Sequence, residues 1–463
     1  MKTALLVSNA LGVLLAAGNP MRGDGSDALE TWRLLHRGGP ALRDVDSRDG
    51  LQAAVGGAVL TSADEVTWTS VTVAKTGFWE AGPYSVAVNC TEVERFGGRW
   101  VVFGTCTVPA SPWGIHEGVF ASSPDGREWN VTTAYGADWL RLAGTTGLLL
   151  AYGEVRGAWQ DSGIASRTTD GTTWQTIALP ANCAPLRDVC FGGPVMVMVG
   201  GDHLGSILGP NARAQVLTSS SGVEWTFAIQ ANGLAFHRVA WGNSRYVLAR
   251  EGGTVGVSAD GLAWSFRAVF SDTPYPGQPL ALAFGNGQFV LLVRILGFSG
   301  APTTQRLFRS ADGVEWTEIT PPTLALWEDL AYGAGCFVAA GERGALFTSP
   351  DGSRWTPRES GVTNRLNAVR YRDRRFLIVG DEGVVLSSAT IPLALKIARA
   401  GPDDPVTLTW SGGGILEQAT AITGPWTPVD PPPDLSTFAV PAAGAAGFFR
   451  LVDESVPGGR AHH

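Results

Sequence analysis

The amino-acid sequence predicts an all-β protein: a β-propeller, with eight blades, followed by a small C-terminal β module. One short motif, of the form S-x-D-G-x-x-W, recurs along the chain and places seven tryptophans 39 to 61 residues apart. That spacing is typical of four-stranded propeller blades rather than of helical repeats. Between the motifs lie short runs rich in Val, Leu and Phe and bounded by glycine, the pattern of strands buried on both faces.

The motif itself predicts a turn with a structural role. Aspartate side chains accept hydrogen bonds from nearby turn amides, and glycine adopts a backbone angle that a Cβ opposes. The tryptophan is expected to cover the turn and to pack against the next blade. Departures are mild: Glu65 replaces the glycine, Thr168 the serine and Ser221 the aspartate. The aspartates expected to be structural are Asp64, Asp125, Asp170, Asp260, Asp312 and Asp351.

This motif resembles the Asp-box of BNR-type propellers, in the sialidase-like and WD40/YVTN-like superfamily, and the resemblance covers residues from about 26 to 391. It implies that the motif turns lie opposite the face that propellers of this kind use for binding. A sialidase is not expected. The sequence lacks an early R-I-P-type segment and a recognisable arrangement of a tyrosine with a glutamate partner.

The number of blades depends on how the two ends of the repeat region combine. Residues 366–389 supply three strands but no motif, whereas the segment 26–36, "SDALETWRLLH", has a serine and Trp32 at the motif separation. We therefore expect the N-terminal strand to complete the last blade, giving eight blades and leaving no open edge. Seven blades with irregular ends are the alternative.

The two termini predict additional units. Residues 1–18 have the lysine, apolar run and small residues of a signal peptide, although "ALGVLLAAG" also resembles the repeat strand "GAGCFVAAG". The propeller is assigned to 19–391, a small antiparallel β module to 392–455 and a tail to 456–463. The module is similar to C-terminal modules of secreted Verrucomicrobia and Planctomycetes proteins, through L-x-W, G-P-W and F-F-R-L. We expect a secreted or cell-surface protein without a membrane span.

Composition excludes several function classes. The net charge is −8 and there is no lysine-rich run, so a nucleic-acid partner is not expected. No C-x-x-C pair, phosphate-binding loop or catalytic serine motif occurs, so neither a metal nor a cofactor is expected. The five cysteines allow two disulfides in an oxidising compartment, Cys90 with Cys106 and Cys183 with Cys190, with Cys336 left over.

The candidate binding site follows from one variable connection. Between the second and third strands, blades one, five, seven and eight have minimal turns, whereas the expanded loops are 106–118, 153–163, 200–215 and 294–306. Long loops on a rigid scaffold are where recognition usually lies, and exposed aromatic rings suit sugars or proteins. We expect the site on blades two to four, near Trp113, His116, Trp139, Trp159, Asp161 and His203.

These features predict a non-catalytic recognition or scaffold protein that binds carbohydrate or a surface protein. A glycoside hydrolase acting on polysaccharide is the main alternative, because two facing carboxylates suffice for that chemistry. The loop acids that could form such a pair are Glu117, Asp138, Glu154, Asp161 and Asp202. A structural component of the cell envelope is the third possibility.

Overall fold

The fold was analysed in a computed structural model. It describes residues 4–7, 27–79, 82–107, 116–134, 137–157, 160–202, 212–271, 276–297, 302–323, 325–391, 394–398, 407–411, 414–420, 425–429, 437–439 and 447–453.

The repeat region folds into eight four-stranded antiparallel sheets, which are the blades of a β-propeller. In chain order the strands of blades 1 to 4 are Leu42–Arg48, Leu51–Gly56, Val59–Ser62 and Thr69–Val71; Asn89–Phe96, Arg99–Thr107, His116–Ser123 and Asn130–Ala134; Trp139–Thr145, Leu148–Val155, Ser162–Thr168 and Gln175–Thr176; and Leu186–Cys190, Met196–Gly201, Arg213–Ser219 and Thr226–Asn232.

Blades 5 to 8 follow the same order, except that blade 8 takes its outer strand from the N-terminal end of the ring. Their strands are Phe236–Gly242, Arg245–Arg250, Thr254–Ser258 and Ser265–Ala268; Gly277–Gly285, Gln288–Ile295, Thr304–Ser310 and Thr317–Ile319; Trp327–Gly333, Cys336–Gly341, Leu346–Ser349 and Thr356–Pro357; and Leu366–Arg372, Arg375–Gly380, Val385–Ser388 and Trp32–His36.

The ring closes as the sequence predicts. Trp32–His36 pairs antiparallel with Val385–Ser388, with Trp32 opposite Ser388. The first strand of each blade contacts the first strand of the next, and that of blade 8 contacts that of blade 1. The eight-bladed prediction is therefore confirmed and the seven-bladed alternative is wrong. Because closure leaves no unpaired inner edge, each blade is supported on both sides.

Other elements flank the ring. A hairpin, Ala74–Trp79 and Gly82–Ala87, is inserted in the crossover between blades 1 and 2. The C-terminal region forms one sheet from Ala394–Ala398, Thr407–Ser411 and Thr437–Ala439, and a second from Gly414–Ala419, Thr427–Pro428, Gly447–Asp453 and Ala4–Val7. Short 3-10 turns occupy Asp27–Leu29, Glu342–Gly344 and Asp381–Gly383. None of the helical turns in the described ranges has the length and apolar character that a membrane crossing requires.

In blades 1 to 7 the repeated motif forms a turn between the third and fourth strands; we call these the tryptophan turns. In blade 6, Asp312 Oδ1 accepts the amides of Val314 and Glu315, both at 2.9 Å, and Ser310 Oγ accepts the Gly313 amide at 2.8 Å. The Trp316 indole donates to the Gly313 carbonyl at 2.9 Å. Gly313 has φ +70°, in the left-handed region. The aspartate is thus a local acceptor that satisfies turn amides.

The tryptophan turns pack against the preceding blade, which corrects the expected contact with the next blade. Trp174 of blade 3 stacks on Phe120 of blade 2, with ring centroids 3.9 Å apart. A Cβ on Gly313 of blade 6 would lie 2.3 Å from Val247 of blade 5. Each turn therefore packs against the blade that precedes its own in the chain. Trp32 repeats the arrangement for blade 8, since its indole donates to the Leu29 carbonyl at 3.1 Å.

The hydrophobic core lies between the blades, and the cysteines belong to it. All five thiols are free, and Cys90, Cys106, Cys183 and Cys336 are buried. Burial raises the pKa of the Cys90 thiol to about 12, so it behaves as a small apolar group. The two possible disulfides are not formed: Cys90 lies opposite Gly104 in its blade, two residues short of Cys106.

Candidate functional site

The ring has two chemically different faces. On one, which we call the turn face, each blade carries the turn between its first and second strands, and blades 1 to 7 also carry their tryptophan turns. Asn243 of blade 5 links the two kinds of turn, because its side-chain amide donates to the Gly287 and Ala311 carbonyls of blade 6. The opposite face carries the crossovers and the connections between second and third strands. We call it the long-loop face.

The central channel is lined with charged side chains from the first strands. Several of these acids accept a backbone amide of the next blade: the Val93 amide donates to Asp44 Oδ2 at 3.0 Å, and the Val239 amide to Asp188 Oδ2 at 2.9 Å. Asp329 accepts the Val369 amide in the same way, at 2.9 Å. Sequence analysis missed this set, although alternating charges in otherwise apolar strands, as in "LRDVDSR", were a signal for it.

Arginines of blade 8 complete the channel network. Arg370 Nε donates to Asp44 Oδ1 at 3.1 Å and Arg372 Nε donates to Asp46 Oδ1 at 2.7 Å. Arg372 Nη2 also lies 3.5 Å from Glu94 Oε1. These pairs join blades 8, 1 and 2, where the chain closes on itself. The described part of the channel is therefore mainly a structural seam rather than an open binding pore.

The long-loop face is built up on blades 2, 3 and 4. The inserted hairpin lies over blade 2, where the Lys75 ammonium donates to Thr133 Oγ1 on the outer strand. Burial and the neighbouring Glu117 carboxylate raise the pKa of Tyr84 on the hairpin. The connections of the three blades leave their second strands at Thr107, Val155 and Gly201 and return at His116, Ser162 and Arg213.

Arg213 fixes the bases of two of these loops. Its Nη2 and Nε donate to Asp202 Oδ1 and Oδ2 at 2.7 and 2.9 Å, so the pair bridges the two ends of the blade 4 loop. The same guanidinium donates to the backbone carbonyls of Asp161 in blade 3 and of Asn182 in the crossover. Burial opposes ionisation of Asp202, but the hydrogen bonds and charge of Arg213 lower its pKa below the usual range.

The structure describes three of the six predicted binding residues, all on the long-loop face. His116 is exposed, and its Nδ1 lies 3.3 Å from Thr107 Oγ1. Trp139 is half-buried and the Arg141 guanidinium lies 5.1 Å from its ring centroid. Asp161 Oδ1 accepts the Gly157 amide at 3.2 Å. Trp113, Trp159 and His203 lie outside the described residues.

Four of the five loop acids that could have formed a hydrolytic pair have structural partners. Glu154 lies 3.0 Å from Arg187, and Asp138 Oδ2 accepts the Arg156 amide at 2.6 Å. Asp202 and Asp161 are held as described above, while one buried oxygen of Glu117 has no hydrogen-bond partner among the described residues. Engaged carboxylates of this kind stabilise loops and are poorly placed to exchange protons with a substrate.

A cavity of about 520 Å³ lies elsewhere on the long-loop face, at blade 7. Its lining combines Thr323 and Ala325 of the crossover with Glu342, Arg343 and Phe347 of the blade. Arg343 is exposed and has φ +57°, an unusual backbone angle for a residue with a side chain. Sequence analysis gave no indication of this cavity. Within the described ranges, no cluster of three or more His, Cys, Asp or Glu side chains has a metal-binding arrangement.

Comparisons with known proteins support the fold. No family model and no curated protein matches the chain. Among solved structures, the computationally designed Ika8 protein is 12% identical with a TM-score of 0.51, covering 77% of this chain and 98% of its own. Sqt1 of Saccharomyces cerevisiae is 9% identical with a TM-score of 0.50, covering 78% and 98%. YCF48 bound to D1 peptide is 16% identical, covering 78% and 97%, but its TM-score is only 0.43. At these identities the shared property is the propeller fold.

Proposed function

We propose that this protein is an exported recognition propeller that binds a carbohydrate or a surface protein on the blades 2–4 side of its long-loop face. It acts by binding and not by catalysis. The propeller belongs to the Asp-box, BNR-type group, in which the six aspartates of the tryptophan turns have structural roles. Residues 1–18 direct export.

The observation that carries the proposal is the asymmetry of the long-loop face. Blades 5, 7 and 8 return from their second to their third strand within 251–253, 342–345 and 381–384, whereas blades 2–4 carry a hairpin and three expanded loops. Connections of unequal length around a ring favour a concave surface, the usual shape of a ligand site. Bonds such as Arg213 to Asp202 hold two loop bases in place, and preorganisation reduces the entropic cost of binding.

The group membership rests on the tryptophan turns. Six of them carry the aspartate, and in five of these its Oδ1 accepts both following turn amides, as Asp260 does from Leu262 and Ala263 at 2.8 and 3.0 Å. Export rests on the apolar N-terminal segment alone, and cleavage after it would remove Ala4–Val7, which pairs with Gly447–Asp453 in the uncleaved chain. Mass determination of the N-terminus after expression in the source cells would test it, and a mature chain that begins before residue 8 would contradict it.

The binding test is a glycan array probed with the full chain, followed by product analysis on each glycan that binds. Binding without turnover supports the proposal, and turnover would overturn it in favour of a polysaccharide hydrolase. If no glycan binds, affinity capture from the surface fraction of the source cells tests the protein-partner arm. Failure of both arms would leave a structural envelope component as the better interpretation.

Site-directed variants locate the binding surface. Trp159→Ala and Trp139→Ala should each weaken binding about tenfold, because a stacked aromatic ring contributes about 1 kcal/mol or more. Two exposed arginines on the same face provide a matched pair: Arg156→Ala in blade 3 should weaken binding, and Arg343→Ala in blade 7 should not. A reversed result for the two arginines would move the site to the blade 7 cavity.

A further inference from the structure

The two sheets of the described C-terminal region have four edges, and three of these carry features that discourage strand pairing. The first sheet is bounded by Ala394–Ala398, which contains Lys396, and by Thr437–Ala439, which has only three residues. The second sheet ends on one side at Thr427–Pro428, which has two residues and includes a proline. Charge, shortness and proline are common means of protecting a sheet edge. The fourth edge is different, because the N-terminal strand Ala4–Val7 closes it.

The strand beneath this N-terminal strand, Gly447–Asp453, is neither short nor interrupted by proline. It has seven residues, GFFRLVD. Ala4–Val7 pairs antiparallel with its first four residues, so that Ala4 lies opposite Arg450. On its other side Gly447–Asp453 pairs with Gly414–Ala419. Removal of Ala4–Val7 therefore leaves a long and mainly apolar strand at the edge of the sheet.

The one cation of this strand, Arg450, does not protect the edge, because its own sheet already neutralises it. Its Nε and Nη2 each lie 2.6 Å from Glu417 Oε2 on the adjacent inner strand. The guanidinium carbon lies 4.3 Å from the ring centroid of Trp426. The acid of the strand, Asp453, is at its end, outside the pairs with Ala4–Val7. A charge paired within its own sheet is a weaker barrier to an incoming strand than a free lysine.

The first residues of Gly447–Asp453 determine which partner residues fit. Phe449 is buried between the two C-terminal sheets, and its ring centroid lies 5.9 Å from that of Phe438 in the other sheet. Phe448, the residue before it, is half-buried on the opposite face. A strand that pairs here therefore borders an apolar core on one face. The seated segment, ALLV, shows that uncharged apolar residues are accepted in this register.

We infer that this outer edge of Gly447–Asp453, which we call the module edge, is a docking site for an extended, uncharged apolar segment of a partner protein. The inference rests on the export step of the proposed function. In the uncleaved chain Ala4–Val7 fills the module edge. Cleavage after residue 18 removes that strand, and the exported chain pairs with the partner segment instead. Backbone hydrogen bonds supply the affinity, and alternate apolar residues supply the specificity.

The test uses the full chain with a protease site inserted between Gly18 and Asn19 and cut only after folding. The probe is a fluorescent peptide of residues 2–11, KTALLVSNAL. It is added before the cut, and again after the cut once gel filtration has removed the released N-terminal segment. The peptide should bind the cut chain about tenfold or more tightly than the uncut chain, because the tethered strand competes at a high effective concentration. Equal binding before and after the cut would overturn the inference.

Two peptide variants provide a matched control for strand pairing. Leu5→Pro with Leu6→Pro should abolish binding, because alternate residues of a strand donate across a given edge, so one of two adjacent amides is needed there. Asn9→Pro with Ala10→Pro changes residues beyond the four pairs with Gly447–Asp453 and should bind like the unmodified peptide. Equal affinities of the two variants would contradict pairing at the module edge.

Two further measurements identify the location and the occupant. Amide hydrogen exchange in residues 447–453 should slow when the peptide is added, and protection confined to the propeller strands would overturn the assignment. The cut chain should sediment as a monomer. A dimer that the peptide dissociates would show that a second copy, and not a partner, fills the module edge. The export step is judged separately by the N-terminal mass in the source cells, so its failure is distinguishable from a failed peptide test.

Discussion

The two faces of the ring are made of the same eight sheets, yet one is uniform and the other varied. On the turn face, most tryptophan turns satisfy their own amides with side chains of their own motif, as Asp170 does for Thr172 and Thr173, both at 2.7 Å. On the long-loop face, the connections range from 251–253 in blade 5 to the expanded loop between Gly201 and Arg213 in blade 4. Uniform local bonding is typical of a scaffold, and variation on that scaffold is where we expect binding.

Breaking the ring should damage both faces alike, and this is the largest effect we expect. Deleting residues 19–36 removes the strand Trp32–His36 and the Trp32 ring, which packs in the core beside Val338 and Phe376. Lost ladder hydrogen bonds at about 1 kcal/mol each, together with the apolar burial, should cost on the order of 5 kcal/mol of unfolding free energy. Thermal unfolding checks this result. Deleting the tail 456–463 is the control, and equal melting temperatures for both deletions would contradict closure by the N-terminal strand.

Removing the ion pair between Arg213 and Asp202, which we call the loop clamp, should affect the long-loop face and leave the turn face unchanged. Arg213→Ala leaves the Asp202 carboxylate, whose side chain is 1% exposed, without its ion pair, and should cost about 3 kcal/mol. Binding should weaken as well, because Asp161 of the blade 3 loop loses its contact. The double variant Arg213→Met with Asp202→Leu removes the buried charge, so it should recover stability but not binding. Recovery of both, by urea unfolding and a binding assay, would show that the loops do not need the clamp.

The sequence was most informative where structure is local. The tryptophan turns are defined by contacts over three residues, such as Trp316 to Gly313, so their periodicity alone predicted the blades. Ring closure was predictable too, because Trp32 preserves the motif spacing without the aspartate. The channel network was not, since Asp44 and Arg370 are 326 residues apart and meet only once the ring closes. For the same reason the partners of the loop acids, such as Arg187 for Glu154, could not be inferred.

The smallest effects are expected on the turn face, where blade 4 provides a natural variant of the motif. Asp312→Ala in blade 6 removes the acceptor of two turn amides and should lower stability by roughly 1–2 kcal/mol without changing binding.

Ser221 stands where the other turns have aspartate, and its Oγ accepts only the Val223 amide, at 3.2 Å. Ser221→Asp supplies a second acceptor in a turn whose glycine already has φ +74°. It should therefore raise stability by up to about 1 kcal/mol. Urea unfolding at pH 7 measures both changes. Because the ionised Asp312 carboxylate accepts these bonds more strongly than the protonated acid, and the Glu315 amide keeps its pKa low, the cost of Asp312→Ala should shrink as the pH falls below about 4. A loss of ligand binding in Asp312→Ala at unchanged stability would show that the turn face, and not the long-loop face, carries the site.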